Sequence, residues 1–268
     1  MSENRTYPVK DAAVTLQASK DYVAKLNRNL AAGKEAFSSG SYSLFEGYKP
    51  ETMRREAIIV LELDRPSQDA VINRVARPLQ TLASKYDIEG IYTGGNDLPP
   101  HVTMEMARTN LSLPKFDEAM AALLSDSSHL AMLSSILSGL QFHHNTLVMA
   151  PNSYICAGDF NAEQGAAFRA RRLMEEMMRR SAQEITEGPE IGTLAPPYRY
   201  DDIFHTSVSR LVAKKSPSEA LLTFAAEAEA TVGRELRREP LSVRVERVYA
   251  GTSLDFVREN APHLLKSA

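Results

Sequence analysis

The chain has 268 residues, and 43% of them are hydrophobic, which is enough for a sizeable core in one large domain or two small ones. Its 31 Lys and Arg against 34 Asp and Glu give a net charge of −3, which argues against a protein that holds long duplex nucleic acid by charge alone. A single cysteine, Cys156, excludes an internal disulfide and a cysteine-rich zinc site, so a reducing compartment is expected.

No stretch of the sequence approaches 18 consecutive apolar residues, so no transmembrane helix and no membrane partner are expected. The N-terminus, MSENRTYPVK, has no apolar segment of the kind found in secretory signals. Together with the single cysteine, these features favour a cytoplasmic protein.

Residues 1–56 are predicted to form an N-terminal helical extension. Residues 12–33 place leucine and valine at helical spacing, and residues 37–51 mix serine and glycine with aromatic side chains. This pattern favours an appendage that packs on the rest of the chain. The alternative is a lid in which an aromatic residue stacks on a nucleotide base: Tyr42, Phe45 or Tyr48.

The first lobe, about residues 57–150, is predicted to be a β-α-β-α-β unit. β-branched apolar runs indicate its strands, and apolar residues three and four apart indicate its helices. In chain order its elements are a buried strand over 57–64, a helix over 67–86, a strand over 101–107, helices over 114–126 and around 129–139, and a strand or strand pair over 140–150.

The second lobe, about residues 151–251, repeats this order. Its elements are a strand over 153–160, a helix over 162–184, a strand over 203–213, a helix over 217–238 and a strand over 241–251. The repeat predicts an α+β fold, in which two pseudo-symmetric lobes with antiparallel sheets surround a central cleft. The bilobal domain is expected to span residues 57–268.

The two middle strands carry the same short motif, each after a loop with two prolines. The first reads His101-Val102-Thr103 and the second reads His205-Thr206-Ser207. Because residues i and i+2 of a strand point to the same face, each strand presents an imidazole and a hydroxyl side by side. The residue between them points into the core. A third match, at residues 144–146, falls outside the repeated position.

This pair of His-x-Thr/Ser motifs, about a hundred residues apart in a doubled β-α-β-α-β order, resembles the 2H phosphoesterase superfamily. That family includes bacterial RNA 2′,3′-cyclic phosphodiesterases/2′-5′ RNA ligases and eukaryotic cyclic phosphodiesterases. The resemblance covers about residues 57–251. It implies two lobes around a water-filled cleft, His101 and His205 as catalytic residues, and Thr103 and Ser207 as ligands of the substrate phosphate.

The chemistry of these side chains supports that assignment. Cleavage of a phosphodiester requires one proton to leave the nucleophile and another to reach the departing oxygen. Two imidazoles can do both, because they titrate near neutral pH. Hydroxyl groups can donate hydrogen bonds to the phosphate oxygens. This set of groups needs no metal and no cofactor.

The leading hypothesis is therefore a metal-independent phosphodiesterase that acts on a 2′,3′-cyclic phosphate or a 2′-5′ linkage in a nucleotide or short RNA end. One alternative is the reverse reaction, RNA 2′-5′ end ligation, which uses the same residues. Another is a nucleotide- or RNA-end-binding module without turnover. The charge balance favours a small nucleotide over long RNA.

Other side chains receive weaker assignments. Tyr92, Tyr198 and Tyr200 lie in or near the loops before the two motifs and are candidates for stacking on a base. The adjacent His143 and His144 point to opposite faces of a strand, which favours a packing or solvated role over a shared metal ion. Strand parity places Arg210 on the face opposite His205 unless the strand bends, so it is left out of the site.

Overall fold

The computed structural model describes residues 24, 27–28, 30–45, 47–94, 98–108, 111–150, 154–158, 170, 204–212 and 218–265. The predicted helix over 162–184, Tyr198, Tyr200 and the second proline pair lie outside this part of the chain. So does most of the predicted helix over 12–33, of which residues 30–33 belong to a described helix, α1, that includes residues 30–39.

The described strands and helices follow the predicted order. The strands are β1 (Glu56–Leu63), β2 (Gly90–Tyr92), β3 (His101–Arg108), β4 (Gln141–His144), β5 (Thr146–Met149), β6 (Tyr154–Gly158), β7 (His205–Leu211) and β8 (Leu241–Thr252). The helices after α1 are α2 (Pro50–Met53), α3 (Arg65–Val71), α4 (Arg77–Lys85), α5 (Leu113–Ser125), α6 (Ser127–Leu137), α7 (Ser218–Ala228), α8 (Arg234–Arg238) and α9 (Ser253–Asn260).

The predicted helix over 67–86 contains a π-helical segment, Ile72–Ala76, between α3 and α4. Pro78 lies in the first turn of α4 and has no backbone N–H to donate to the residue four positions earlier, so the regular ladder is interrupted there. The helix begins after Asp64, whose side chain accepts a hydrogen bond of 2.9 Å from the Ser67 backbone N–H.

One sheet joins the strands in the order β4-β8-β1-β3-β7-β6-β5, and β2 pairs with β7 beside this path. Every strand pairing in it is antiparallel. The α+β prediction is therefore confirmed. The two middle strands of the repeat, β3 and β7, are neighbours at the centre of the sheet, and the remaining strands are distributed on either side of them in related order.

Each repeat unit places its last strand beside the first strand of the other unit. β5 pairs with β6, and β8 pairs with β1. The two halves of the sheet are thus not the continuous segments 57–150 and 151–251. The predicted strand pair over 140–150 exists as β4 and β5, but they do not pair with each other, because the single residue Asn145 between them is too short for a hairpin turn. They occupy the first and last places in the strand order.

The sheet is covered on both faces, as β1 shows. Its alternate residues Ala57, Ile59 and Leu61 belong to the main core, which packs under the helices. Ile58 and Val60 point to the other face and belong to a smaller cluster with residues of α9. β1 is therefore the buried strand that its continuous apolar run predicts. None of the described helices is long and apolar enough to cross a membrane by itself; α5 and α6 meet the criteria only together, across a bend of 63°.

The described part of the N-terminal extension packs against the domain. Phe37 is buried and its ring stacks on Tyr42 with a centroid separation of 5.1 Å. The Phe45 backbone N–H donates to the carbonyl of Leu211 at 2.9 Å, at the end of β7. Tyr48 is buried in the smaller cluster. For these residues the packing interpretation is confirmed, because their rings already have partners within the protein.

Candidate active site

Both motif strands alternate between half-buried and fully buried side chains. In β3, His101 and Thr103 are half-buried, whereas Val102 is fully buried between them. In β7, His205 and Ser207 are half-buried on either side of a fully buried Thr206. The imidazole and hydroxyl of each motif therefore share the accessible face, as strand parity predicts.

The register of β3 and β7 brings the two motifs together. Val102 lies directly opposite Thr206 in this antiparallel pair. The neighbouring positions must then match as His101 with Ser207, and Thr103 with His205. Directly opposite residues have Cβ atoms about 4.5–5.5 Å apart. The four side chains form a two-by-two block in which each histidine faces the hydroxyl of the other motif.

Two contacts orient the His101 ring. Its Nδ1 lies 2.7 Å from the carbonyl oxygen of Pro99. Because a carbonyl only accepts, Nδ1 carries the hydrogen, and Nε2 is the nitrogen that takes up or gives away a proton. The edge of Phe256 in α9 packs against the ring, with centroids 5.0 Å apart and planes at 74°. The proline pair before β3 thus contributes directly to the orientation of His101.

A cavity of about 220 Å³ lies beside His101. Glu62 of β1 is directly opposite His101, and Arg247 of β8 is directly opposite Glu62. Glu62 and Arg247 form an ion pair on the cavity wall, in which Arg247 Nη2 donates to Glu62 Oε1 at 3.1 Å. Phe256 and Asn260 of α9 form another part of the wall. The site therefore has a partly open cavity next to one of its two imidazoles.

The surroundings of His205 differ from those of His101. Gly158 of β6 lies directly opposite His205 and has no side chain that could crowd the ring. The strand is held on its other side by Thr93, whose hydroxyl donates to the carbonyl of Ser207 at 2.9 Å. The second motif is therefore anchored through its backbone, with a glycine as the β6 partner of His205.

His144, the histidine of the third match, lies on the core side of the second motif. It is fully buried, and its Nε2 is 3.0 Å from the hydroxyl oxygen of Thr206. Burial, together with the nearby His205 and His143, lowers the pKa of His144 to about 3, so the ring is neutral. Of the packing and solvated roles predicted for the two adjacent histidines, the burial of His144 fits the first. Among the residues that the structure describes, no group of three or more metal-ligating side chains could hold an ion.

A β-bulge in β7 corrects the prediction for Arg210. Ser207 and Ser209 lie opposite consecutive residues of β6, although two positions separate them in β7. Val208 is therefore an extra residue in the ladder, and the alternation of faces shifts by one beyond it. Arg210 lies on the same face as Ser207, not on the opposite face. The sequence carries no signal for this bulge, because Val208 alone is an ordinary strand residue.

Two rings of the N-terminal extension hold Arg210. Its guanidinium lies over the ring of Phe45 at 5.1 Å and over the ring of Tyr48 at 4.8 Å. Such contacts favour a cation on the faces of aromatic rings. The extension therefore approaches the motif face of the sheet and fixes a positive charge there.

Tyr92 does not suit the predicted stacking role. It is only 6% exposed and belongs to the main core, on the face of the sheet opposite the motif side chains. Burial raises the pKa of Tyr92 to about 12, so the phenol stays protonated. A base can stack only on an exposed ring, which Tyr92 does not offer. Tyr198 and Tyr200 lie outside the described residues.

No protein-family model and no curated protein matches the sequence. Among solved structures, the chain is similar to Kluyveromyces marxianus Usb1 with uridine monophosphate, with a TM-score of 0.46 and 14% identity over 75% of this chain and 95% of that chain. A further structure of the same Usb1 gives a TM-score of 0.44 and 15% identity over the same shares. Similarity at this level does not determine chemistry, which depends on the residues of the site itself.

Proposed function

We propose that this protein is a metal-independent phosphodiesterase that acts on a 2′,3′-cyclic phosphate or a 2′-5′ linkage in a nucleotide or short RNA end. The observation that carries the proposal is the β3–β7 register, in which Val102 opposite Thr206 sets both His-x-Thr/Ser motifs in one block. A phosphate placed on this block meets an imidazole and a hydroxyl from each of two strands.

The block has the groups that phosphodiester cleavage requires. For a 2′,3′-cyclic phosphate, water attacks phosphorus and one histidine accepts its proton. The bond from phosphorus to one ribose oxygen breaks, and the other histidine gives that oxygen a proton. Thr103 and Ser207 donate hydrogen bonds to the two non-bridging oxygens, where negative charge increases in the transition state. Atoms and protons balance without a further reactant.

The charge on the motif face agrees with an anionic substrate. Arg210 lies on this face three positions beyond Ser207, and its planar guanidinium is suited to a phosphate or to the phosphate's immediate surroundings. On the other side of His101, Arg247 is paired with the Glu62 carboxylate, so the support for an anionic substrate comes from Arg210.

The test is turnover of 2′,3′-cyclic nucleotides and 2′-5′ dinucleotides by the full chain in the presence of EDTA. We expect hydrolysis by the wild type and its loss in His101→Ala. His129→Ala is the matched control, because His129 lies in α6 and is paired with Asp126, away from the block. Nucleotide binding without turnover would identify a binding module, and neither binding nor turnover would overturn the proposal.

A further inference from the structure

We propose that His144 is a positioning residue for the second motif, and that its hydrogen bond to Thr206 keeps His205 and Ser207 in register with the substrate. This inference rests on the proposed phosphodiesterase function. It assigns a role to a histidine on the core side of the sheet, which does not contact the substrate face at all.

The position of Thr206 in β7 determines the positions of both functional side chains of the second motif. It lies between His205 and Ser207, and its side chain points in the opposite direction, into the core, where it is fully buried. A shift of Thr206 therefore moves both functional side chains together. A hydrogen bond of 3.0 Å between the Thr206 hydroxyl and His144 Nε2 holds Thr206 from the core side of the sheet.

This hydrogen bond connects parts of the sheet that are not neighbours in it. His144 ends β4, where it lies opposite Leu241 of β8, whereas Thr206 belongs to the central strand β7. Next to it, the rings of Phe142 and Phe204 pack with centroids 5.8 Å apart. The end of β4 thus supports the beginning of the motif strand through one aromatic contact and one hydrogen bond across the core.

The retention of a polar ring here is costly for stability. His144 is fully buried, and its Nδ1 makes no hydrogen bond to any residue that the structure describes. An apolar ring of similar size would avoid this burial of an unsatisfied polar atom. Packing alone therefore does not account for histidine at this position, whereas a need to hold Thr206 does.

The neutral state of His144 suits a positioning role beside a catalytic histidine. Burial keeps the ring uncharged at physiological pH. It can therefore hold Thr206 without placing a fixed positive charge close to His205, which must itself gain and lose a proton. A lysine or arginine could also hold a hydroxyl, but its charge would oppose the protonation of His205.

The test is a double-mutant cycle on the proposed reaction. His144→Phe keeps an aromatic ring and removes the hydrogen bond, and Thr206→Val removes the hydroxyl while keeping the shape. We expect each change to lower kcat on the order of tenfold with KM within about twofold, since an interaction that orients catalytic groups affects the transition state more than substrate binding. The double variant should be no worse than either single variant, because both remove the same hydrogen bond.

Two further variants separate positioning from general stability. His144→Gln can place an amide near the position of Nε2 and should recover part of the lost kcat. Phe116→Leu is the matched control, because Phe116 is fully buried in the main core but lies in α5, away from the motifs. It should lower the stability of the protein with little change in kcat.

Each outcome is decisive. The inference is overturned if kcat of folded Thr206→Val equals that of the wild type, or if the losses of the two single variants multiply in the double variant. Thr206→Val alone decides the question if His144→Phe does not fold. Absence of wild-type turnover would instead refute the proposed function, and the NMR resonances of the His205 ring would still test the positioning role, since they should shift in His144→Phe and return toward the wild-type position in His144→Gln.

Discussion

At the scale of single residues, the two histidines of the block are not equivalent in their surroundings. His101 is held by the Pro99 carbonyl and the edge of Phe256, and it borders a cavity that is open to solvent on one side. His205 faces a glycine across the ladder. The two imidazoles therefore have different neighbours: a carbonyl, an aromatic edge and a cavity for His101, and a glycine of β6 for His205.

Replacement of either histidine should remove most of the activity. His101→Ala and His205→Ala should each lower kcat/KM on the order of a hundredfold to ten-thousandfold, which is the usual contribution of one general acid or base. Because both rings act in the same step, the double variant should lose much less than the product of the two losses. Steady-state kinetics on a 2′,3′-cyclic nucleotide measure this, and independent, multiplying losses would contradict a shared step.

Removal of a motif hydroxyl should have a smaller effect. Thr103→Ala and Ser207→Ala each delete one neutral hydrogen-bond donor to a phosphate oxygen, and water can partly replace it. We expect losses in kcat/KM below those of the histidine variants, with folding unchanged because both side chains lie on the accessible face. A loss for Ser207→Ala equal to that for His205→Ala would give the hydroxyl a different role from donation to phosphate.

The buried His144 predicts a pH dependence of stability. Its pKa falls from 6.5 in the unfolded chain to about 3 in the folded protein, so the unfolded chain binds the extra proton between these values. Folding is therefore unaffected by this group above pH 6.5 and becomes less favourable as the pH falls toward 3. Between pH 7 and pH 5 this group should lower the free energy of unfolding by about 2 kcal/mol.

Urea unfolding of the wild type and of His144→Gln at pH 7 and pH 5 measures this contribution. The variant has no titratable group at this position, so only the wild type should lose this contribution. The free energy of unfolding of the wild type minus that of the variant should therefore be about 2 kcal/mol lower at pH 5 than at pH 7. The other histidines are common to both proteins and cancel. A difference that stays constant with pH would show that His144 is not held neutral.

At the scale of elements, β7 is the strand that joins the parts of the candidate site. It pairs with β3 at the motif, with β6 along most of its length and with β2 beyond the bulge. The bulge at Val208 turns Arg210 toward the motif face, where its guanidinium lies over the rings of Phe45 and Tyr48 of the extension. One inserted residue therefore links the N-terminal extension to the candidate active site.

The contact of Arg210 with Phe45 and Tyr48 should require the guanidinium and not only its charge. Arg210→Lys keeps the charge but loses the planar group that lies on both rings, and we expect the free energy of unfolding to fall by about 1 kcal/mol. Arg237→Lys is the control, since Arg237 makes an ion pair with Glu229 on an exposed helix surface. Thermal or urea unfolding measures the stability lost in each variant. An equal loss in both would mean that the contact with the two rings does not require the guanidinium.

At the scale of the whole molecule, the repeat places β3 and β7 side by side at the centre of the sheet. Each half of the sheet supplies one imidazole and one hydroxyl, so the site depends on both halves at once. Under the proposed function, a substrate there would contact residues about a hundred positions apart in the chain, so activity would require the whole sheet to be folded.

The complete site predicts a reaction that is independent of divalent ions. Hydrolysis of a cyclic nucleotide should persist in EDTA, and kcat/KM should show a bell-shaped pH profile with one neutral and one protonated imidazole at the optimum. His205→Ala should abolish one limb of the bell. An absolute requirement for a divalent ion, restored by its addition after chelation, would contradict a mechanism based on the two histidines.

Much of the site can be predicted from the sequence because strand alternation is a local property of the backbone. The i and i+2 positions of His101 and Thr103 share a face wherever the strand lies, and the same holds for His205 and Ser207. The repeat of the strand and helix order favours these two matches over the one at His144, and the structure places His144 in the core. Element order and fold class follow from the same local periodicities.

Tertiary structure alone decided how these local patterns combine. The pairing of β3 with β7, the exchange of last strands between the units and the bulge at Val208 depend on contacts between distant segments, which no local periodicity encodes. The burial of Tyr92 and the contact of His144 with Thr206 have the same origin. Sequence determines which face a side chain shares with its neighbours in the strand, and packing of the whole sheet determines what that face meets.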